Sequence, residues 1–143
     1  MRIVVISHGD MAKGIINSAQ MLAGEQDNLT AYGLYPTEER SVLEKKLAKE
    51  LAAAKEADEE VLVLSDIFHG SPFNAAVELM RNYDFYHITG INLPLLVVAV
   101  LDASSGMAAA EVCEHLLEEF PATVQDARKL LSEENEEAED EAL

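Results

Sequence analysis

The chain has 143 residues, of which 49% are hydrophobic, so it has the length of one domain and enough apolar residues for a buried core. Its formal net charge of −17 argues against nucleic acids and anionic membrane surfaces as partners, because both are polyanions. The single cysteine excludes an internal disulfide framework, and the start of the sequence has no signal-peptide pattern, so we expect a cytoplasmic protein.

The amino-terminal half of the sequence predicts two strands, each followed by a helix. A β-branched run at residues 2–7 is typical of a strand buried on both faces, and apolar residues at helical spacing follow over 11–23. A weaker strand at 29–35 leads into a second helix. We expect this helix to have Thr37 as its N-cap, acidic residues in its first turn, and an end near residue 54.

The carboxy-terminal half predicts two more strands, at 60–65 and 86–90, and four helices. The apolar segment 92–103 fits a strand or a helix by periodicity, but Asn92 as a cap and Pro94 in the first turn favour a helix. The four predicted helices cover residues 72–80, 92–103, 107–119 and 121–131.

Strands that alternate with helices across short loops predict an α/β fold. We expect a doubly wound, mainly parallel open sheet with the flavodoxin-like strand order 2-1-3-4 and helices on both faces. One domain is predicted over residues 1–131. Residues 132–143 hold seven acidic residues and no basic one, which indicates a frayed helix end or a disordered segment.

The predicted strand order places two chemically important residues together. In such a sheet, ligands bind at the carboxyl ends of the strands where the winding direction reverses, which is between the first and third strands. Those strands end at His8 and Asp66, which we therefore expect to lie side by side. A carboxylate that accepts from one imidazole nitrogen fixes the tautomer and leaves the other nitrogen as a nucleophile or base.

Two predicted helix starts could supply anion-binding donors beside this pair. Gly9 and the following amides open the first helix, and Gly70 and Ser71 open another with a hydroxyl in addition. Such donors suit a phosphoryl group. The absence of an obvious water-activating base or Mg²⁺ cluster favours a phosphoryl carrier over a hydrolase. Two alternatives stay open: Ser71 could only cap a helix, and Asp66 could only cap a turn.

Other aromatic and imidazole side chains surround the loop that follows Asp66. Phe68 and Phe73 flank it, and we expect one to pack in the core and the other to contact a partner. His69 could complete a Zn²⁺ set with His8 and Asp66, but no regular ligand spacing supports this, so we assign no metal and no cofactor. Two further histidines are expected to be structural or exposed: His87 and His115.

Four segments, in this order along the chain, resemble the enzyme IIA domain of the mannose-type sugar phosphotransferase system (PTS): residues 3–9, 19–26, 66–74 and 90–96. The resemblance implies a dimeric α/β protein that takes a phosphoryl group from the phosphohistidine of HPr. It would pass the group to a histidine of a cognate enzyme IIB, which phosphorylates the sugar during uptake.

Carried over by position, the resemblance makes His8 the phosphohistidine and Asp66 the carboxylate that orients it. The Gly70–Ser71 turn would then contact the phosphoryl group. From their positions in the sequence, we also expect Gly9 to bind the phosphoryl group and Phe68, His69 and Phe73 to form a partner-docking rim. The family often has Gly where His69 stands here. The acidic tail in place of a linker to a IIB domain implies a free-standing IIA protein.

Several other functions are compatible with the sequence. The nearest is a phosphoryl-donor subunit for a PTS-dependent dihydroxyacetone kinase, which has a similar histidine-bearing domain. A regulatory module that senses phosphorylation and a metal-binding or hydrolytic protein are more distant alternatives. The resemblance implies no insertion into the membrane, only an indirect association with the membrane components IIC and IID through enzyme IIB.

Overall fold

Four strands and six α-helices make up the chain in a computed structural model that describes residues 1–143. The strands are β1 (Arg2–His8), β2 (Leu29–Leu34), β3 (Val61–Ser65) and β4 (Tyr86–Thr89). The helices are α1 (Met11–Ala23), α2 (Arg40–Glu56), α3 (Ser71–Leu79), α4 (Leu93–Ser104), α5 (Ala109–Glu119) and α6 (Ala127–Ala142). A 3₁₀ turn at Phe120–Thr123 joins α5 to α6.

The sheet is parallel throughout, with the strand order β2-β1-β3-β4. On one side β1 pairs with β2 as far as His8, which lies opposite Leu34. On the other side β1 pairs with β3 only as far as Ile6, which lies opposite Ser65. Both the parallel sheet and the order 2-1-3-4 are confirmed, so the winding direction reverses between β1 and β3 as predicted.

Two apolar layers cover the faces of this sheet. Alternate side chains of β1 point to opposite faces, so Ile3 and Val5 pack with α1, α4 and α5, whereas Val4 and Ile6 pack with α2 and α3. All four side chains are fully buried, and each contributes about 1.5–3 kcal/mol of hydrophobic free energy. The predicted helices on both faces are therefore confirmed. Because β1 lies between β2 and β3, its last residue, His8, lies inside the carboxyl edge of the sheet and not at a side of it.

The start of α2 differs from the prediction. Thr37 is not its N-cap, because Glu39 holds that position and the helix begins at Arg40. The residues before it form a turn in which the Glu38 amide donates to the Tyr35 carbonyl at 2.9 Å. Pro36 follows Tyr35 in this turn, and the helix starts two residues later than predicted.

The helical prediction for 92–103 is confirmed. Asn92 caps α4, since its Oδ1 accepts from the Leu95 amide at 3.0 Å. Its Nδ2 also donates to Thr123 Oγ1 at 2.8 Å, which ties the start of α4 to the 3₁₀ turn. The cap therefore fixes both the beginning of a core helix and the course of the chain after α5.

The carboxy-terminal segment is helical but lies outside the core. The helix predicted over 121–131 is wrong in its first part, because Pro121 stands in the 3₁₀ turn and α6 begins only after Asp126. Asp126 Oδ1 caps α6 by accepting from the Lys129 amide at 3.2 Å. The helix α6 continues past residue 131, the predicted end of the domain, and none of the residues of α6 is buried. No helix of the chain combines the length and apolar character needed to cross a membrane.

A second histidine–aspartate pair joins α4 to α5. His115 Nδ1 lies 2.7 Å from Oδ2 of Asp102, whose side chain is only 12% exposed, and His115 Nε2 lies 3.4 Å from Glu119 Oε1. The hydrogen bond to Asp102 raises the pKa of His115 above its ordinary value of 6.5. The contribution of this pair to stability is therefore complete below pH 6.5 and is lost as the pH rises through the raised pKa.

We expect His115→Gln to lower the free energy of unfolding more at about pH 6 than at about pH 9, because only the protonated imidazole forms the ion pair with Asp102. Urea denaturation at the two pH values measures the difference. An equal loss at both values would contradict the assignment.

Candidate functional site

His8 and Asp66 lie side by side at the carboxyl edge of the sheet, as predicted. Asp66 Oδ2 accepts from the His8 amide at 2.8 Å and lies 2.7 Å from His8 Nδ1. Its other oxygen accepts from the Ile67 amide at 2.9 Å. Asp66 therefore does organise the turn after β3, but the same carboxylate also binds the imidazole. Three bonds hold it in place, and its side chain is only 10% exposed.

The pairing with Asp66 determines which nitrogen of His8 is available. A carboxylate only accepts hydrogen bonds, so the proton of the neutral imidazole lies on Nδ1. The lone pair is then on Nε2, for which no hydrogen bond is present, and the His8 side chain is 53% exposed. The structure thus presents Nε2 of His8 as an accessible nucleophile held in a fixed orientation.

Gly70 packs against the His8 ring. A Cβ atom at this position would lie 2.8 Å from His8 Cε1 and 2.9 Å from Cγ2 of Ile67, so only glycine fits without displacement. Cε1 lies between the two ring nitrogens. The turn that begins α3 therefore flanks the imidazole close to Nε2.

The hydrogen-bond donors around the imidazole differ in part from the prediction. Gly9 does not offer a free amide, because its N–H donates to the Leu34 carbonyl at 2.8 Å and completes the β1–β2 ladder. The Gly70 amide makes only a long bond of 3.4 Å to the Ile67 carbonyl. The Ser71 amide has no hydrogen-bond partner, as is usual in the first turn of a helix.

Ser71 does not cap α3. Gly70 holds the N-cap position, and the Ser71 hydroxyl makes no cap hydrogen bond. The alternative that Ser71 serves only as a helix cap is therefore wrong. Its amide and hydroxyl are both unoccupied at the positive end of a nine-residue helix that starts beside His8. Such donors are suited to an anion.

His69 belongs to an aromatic cluster and not to the His8–Asp66 pair. Its ring centroid lies 3.7 Å from that of Phe68 and 5.7 Å from that of Phe73, and no group of three His, Cys, Asp or Glu side chains is arranged to hold a metal ion. The backbone of His69 has φ of 62°, in the left-handed region that favours glycine. This conformation gives a physical reason for the glycine that the mannose-type pattern often has at this position.

Phe68, His69 and Phe73 form an aromatic rim beside the site. Phe68 is 60% exposed, whereas Phe73 is half-buried and stacks on His87 with a centroid distance of 5.3 Å. Neither phenylalanine belongs to an apolar core layer, so the expectation that one of them packs in the core is wrong, and contact of the other with a partner stays a prediction. The rim therefore presents an exposed apolar surface next to His8.

A polar network beneath the rim was missed by the sequence analysis. His87 Nε2 lies 2.8 Å from Ser65 Oγ, which itself donates to Thr89 Oγ1 at 2.9 Å. The sequence pattern could have indicated this network, because residues 87 and 89 are two positions apart in β4 and so lie on the same face of the sheet. Since Ser65 is directly before Asp66, the network helps to fix the end of β3 that carries the site.

Burial lowers the pKa of His87 to about 4, well below its ordinary value of 6.5. Between these values the unfolded chain binds a proton that the folded chain does not bind. Stability due to this group therefore falls as the pH is lowered from 6.5 to about 4, by up to about 3 kcal/mol. We expect His87→Gln to remove this dependence.

Urea denaturation of both proteins at about pH 7 and about pH 4.5 provides the measurement. The loss of stability on acidification should be smaller in His87→Gln than in the wild type by about 2 kcal/mol. Identical losses in the two proteins would show that His87 is not buried in its neutral form.

Comparison with known proteins assigns the chain to a family. The model of the EIIA-man family, described as "PTS system fructose IIA component", matches residues 2–117. The mannose-specific PTS EIIAB component of Escherichia coli K12 is 36% identical over 100 residues, which are 69% of this chain and 31% of that protein. The chain thus spans less than a third of the length of that relative.

Two further proteins are similar over nearly their whole length. The fructose-specific PTS EIIA component of Bacillus subtilis 168 is 30% identical over 141 residues, which are 89% of this chain and 96% of that protein. The crystal structure of the PTS IIA protein associated with the fucose utilization operon of Streptococcus pneumoniae superposes with a TM-score of 0.76 at 29% identity. It covers 91% of this chain and 95% of the other. The chain therefore belongs to the mannose-type enzyme IIA (EIIA-man) family of the phosphotransferase system.

Proposed function

We propose that the chain is a phosphoryl carrier of a sugar phosphotransferase system and that Nε2 of His8 is the atom that is phosphorylated. One observation carries the proposal: the hydrogen bond of 2.7 Å between His8 Nδ1 and Asp66 leaves Nε2 exposed next to the start of α3. The EIIA-man family and the sugar-specific PTS components among the relatives support the same function.

The proposed step transfers a phosphoryl group between two imidazoles. The Nε2 lone pair of His8 attacks the phosphorus of a donor phosphohistidine. The donor P–N bond breaks as the new P–N bond forms, and the donor nitrogen recovers its lone pair. The proton on Nδ1 stays in place, so the phosphorylated ring gains positive charge, which the Asp66 carboxylate offsets. Attack by a histidine of the next protein on the same phosphorus completes the relay.

The free donors of α3 would hold the phosphoryl oxygens. The Ser71 amide and hydroxyl have no partner within the chain, and the helix dipole favours negative charge at this end. Gly70 contributes by its small size, which lets the backbone approach the ring. Gly9 makes the tight turn after His8, with φ of 53°, and is not a donor.

The partners follow from the family. HPr is the proposed donor and an enzyme IIB the proposed acceptor, and the aromatic rim of Phe68, His69 and Phe73 is the proposed docking surface. We further propose a cytoplasmic homodimer whose IIA domain extends over residues 1–131, with an indirect association with the membrane components through enzyme IIB. The relatives described above are named as sugar components, which favours sugar uptake over the dihydroxyacetone kinase alternative.

The test of the relay is incubation of the chain with phosphoenolpyruvate, enzyme I and HPr. We expect acid-labile, base-stable label on the wild type and none on His8→Ala. We expect label to form on the order of 100-fold more slowly on Asp66→Ala, which no longer fixes the imidazole tautomer. His115→Gln is the matched control, because His115 is also paired with an aspartate but lies in α5. Label that persists in His8→Ala would overturn the proposal.

Gly70→Ala tests the geometry of the site. The added Cβ would press on Cε1 of His8 and move the ring relative to Asp66, so we expect the rate of phosphorylation to fall by roughly tenfold or more. Gly14→Ala is the control: a Cβ there would meet no atom within 4 Å. The control should keep its rate and gain up to about 1 kcal/mol of stability, since Ala is the better helix former. Equal rates in the two variants would contradict the close packing of Gly70 on His8.

A further inference from the structure

Asp10 stands at the N-cap of α1 but does not cap it. Aspartate is among the preferred N-cap residues because its carboxylate accepts from the free amides of the first turn. Here the Asp10 side chain makes no cap hydrogen bond. Its Oδ1 instead accepts from the hydroxyl of Tyr35 at 2.5 Å. The backbone of Asp10, with φ of −88° and ψ of 6°, is not in the extended conformation typical of a capping residue, and its carboxylate bonds to a residue 25 positions later.

The first turn of α1 consequently keeps free donors. The Ala12 amide donates to the buried Ser7 hydroxyl at 2.7 Å, but the amides of Met11 and Lys13 have no hydrogen-bond partner. The helix begins three residues after His8. A capping carboxylate would accept from the Lys13 amide, the third of the helix, and would add negative charge at the helix start, which disfavours a second anion there.

The position of Tyr35 is built into the fold. A Cβ on Gly33 would lie 3.0 Å from both Cζ and the hydroxyl oxygen of Tyr35 and 2.3 Å from the Gly9 carbonyl oxygen. The ring therefore crosses the end of β2 over a residue that must lack a side chain. Lys13 Nζ lies 5.6 Å from the ring centroid, close enough for a cation–π contact.

We propose that Tyr35 is a positioning residue that holds the Asp10 carboxylate away from the start of α1, so that the amides of Met11 and Lys13 remain free for the phosphoryl group on His8. The inference rests on the proposed phosphorylation of His8. In this proposal the start of α1, in addition to that of α3, binds the phosphoryl group, and the Asp10–Tyr35 hydrogen bond keeps the start of α1 free. The other charged groups near Tyr35 are Lys13 on α1, over the ring, and Glu38, whose carboxylate accepts from the Tyr35 amide at 3.4 Å.

Tyr35→Phe removes the hydroxyl and keeps the ring over Gly33. We expect the released carboxylate of Asp10 to cap α1, which NMR would detect as slower hydrogen exchange of the Lys13 amide in the unphosphorylated protein. We expect the equilibrium between phospho-HPr and phospho-His8 to shift toward phospho-HPr by roughly two- to fivefold, the factor for one charge at a helix terminus. The double variant Tyr35→Phe/Asp10→Ala should restore the equilibrium, because no carboxylate remains to compete.

Tyr32→Phe is the matched control. Tyr32 lies on β2, three residues before Tyr35, and also donates to a carboxylate, that of Glu50 at 2.9 Å, but its partner is in α2. The control should leave both the Lys13 exchange rate and the phosphoryl equilibrium unchanged.

The outcomes separate this inference from the proposed function. If the wild type carries label on His8 and Tyr35→Phe has the same equilibrium between phospho-HPr and phospho-His8, the positioning role is overturned while the carrier function stands. A shift in Tyr35→Phe that Asp10→Ala does not rescue assigns a purely structural role to Tyr35 and also overturns the inference. A wild type without label on His8 removes the proposed function itself, whatever the Lys13 exchange rate shows.

Discussion

The bond between Asp66 and His8 is the interaction on which the site depends. A single carboxylate oxygen receives both the main-chain amide and Nδ1 of His8, at 2.8 and 2.7 Å, so backbone and ring are fixed together. The bond joins the ends of β1 and β3 just beyond their last ladder pair, Ile6 with Ser65. It therefore connects the two strands at the point where the sheet reverses its winding, and it also determines which imidazole nitrogen is free.

Buried hydroxyls immediately before the site residues support this bond. Ser7 precedes His8 and accepts from the first turn of α1, and Ser65 precedes Asp66 and bonds to His87 and Thr89. Both serines are 0% exposed. Each strand end is thus tied to a neighbouring element by a satisfied polar side chain, which limits the movement of the residue that follows.

Much of the fold and the centre of the site were predictable from the sequence, because they depend on patterns that are local or topological. The β-branched runs indicated the strands, and their alternation with helices gave the order that brings His8 to Asp66. The side-chain contacts between distant elements were not predictable. Gly9 loses its amide to β2, His87 bonds across to β3, and Tyr35 withdraws Asp10 from a capping position that local preference would assign to it. The start of α2 was missed for a different reason: a local turn with a main-chain bond from the Glu38 amide to the Tyr35 carbonyl precedes the helix.

Because α6 is not packed into the core, it can unfold separately from the rest of the chain. None of its 16 residues is buried, so its order depends on a helix–coil equilibrium, its Asp126 cap and a contact of 4.0 Å between Lys129 and Glu133. A helix of this length is marginal by itself in water, and its seven acidic residues repel one another at neutral pH. Residues 127–142 therefore form a separate cooperative unit whose opening costs far less free energy than unfolding of the sheet. The order of this segment should therefore respond to ionic strength and acidity without unfolding of the sheet.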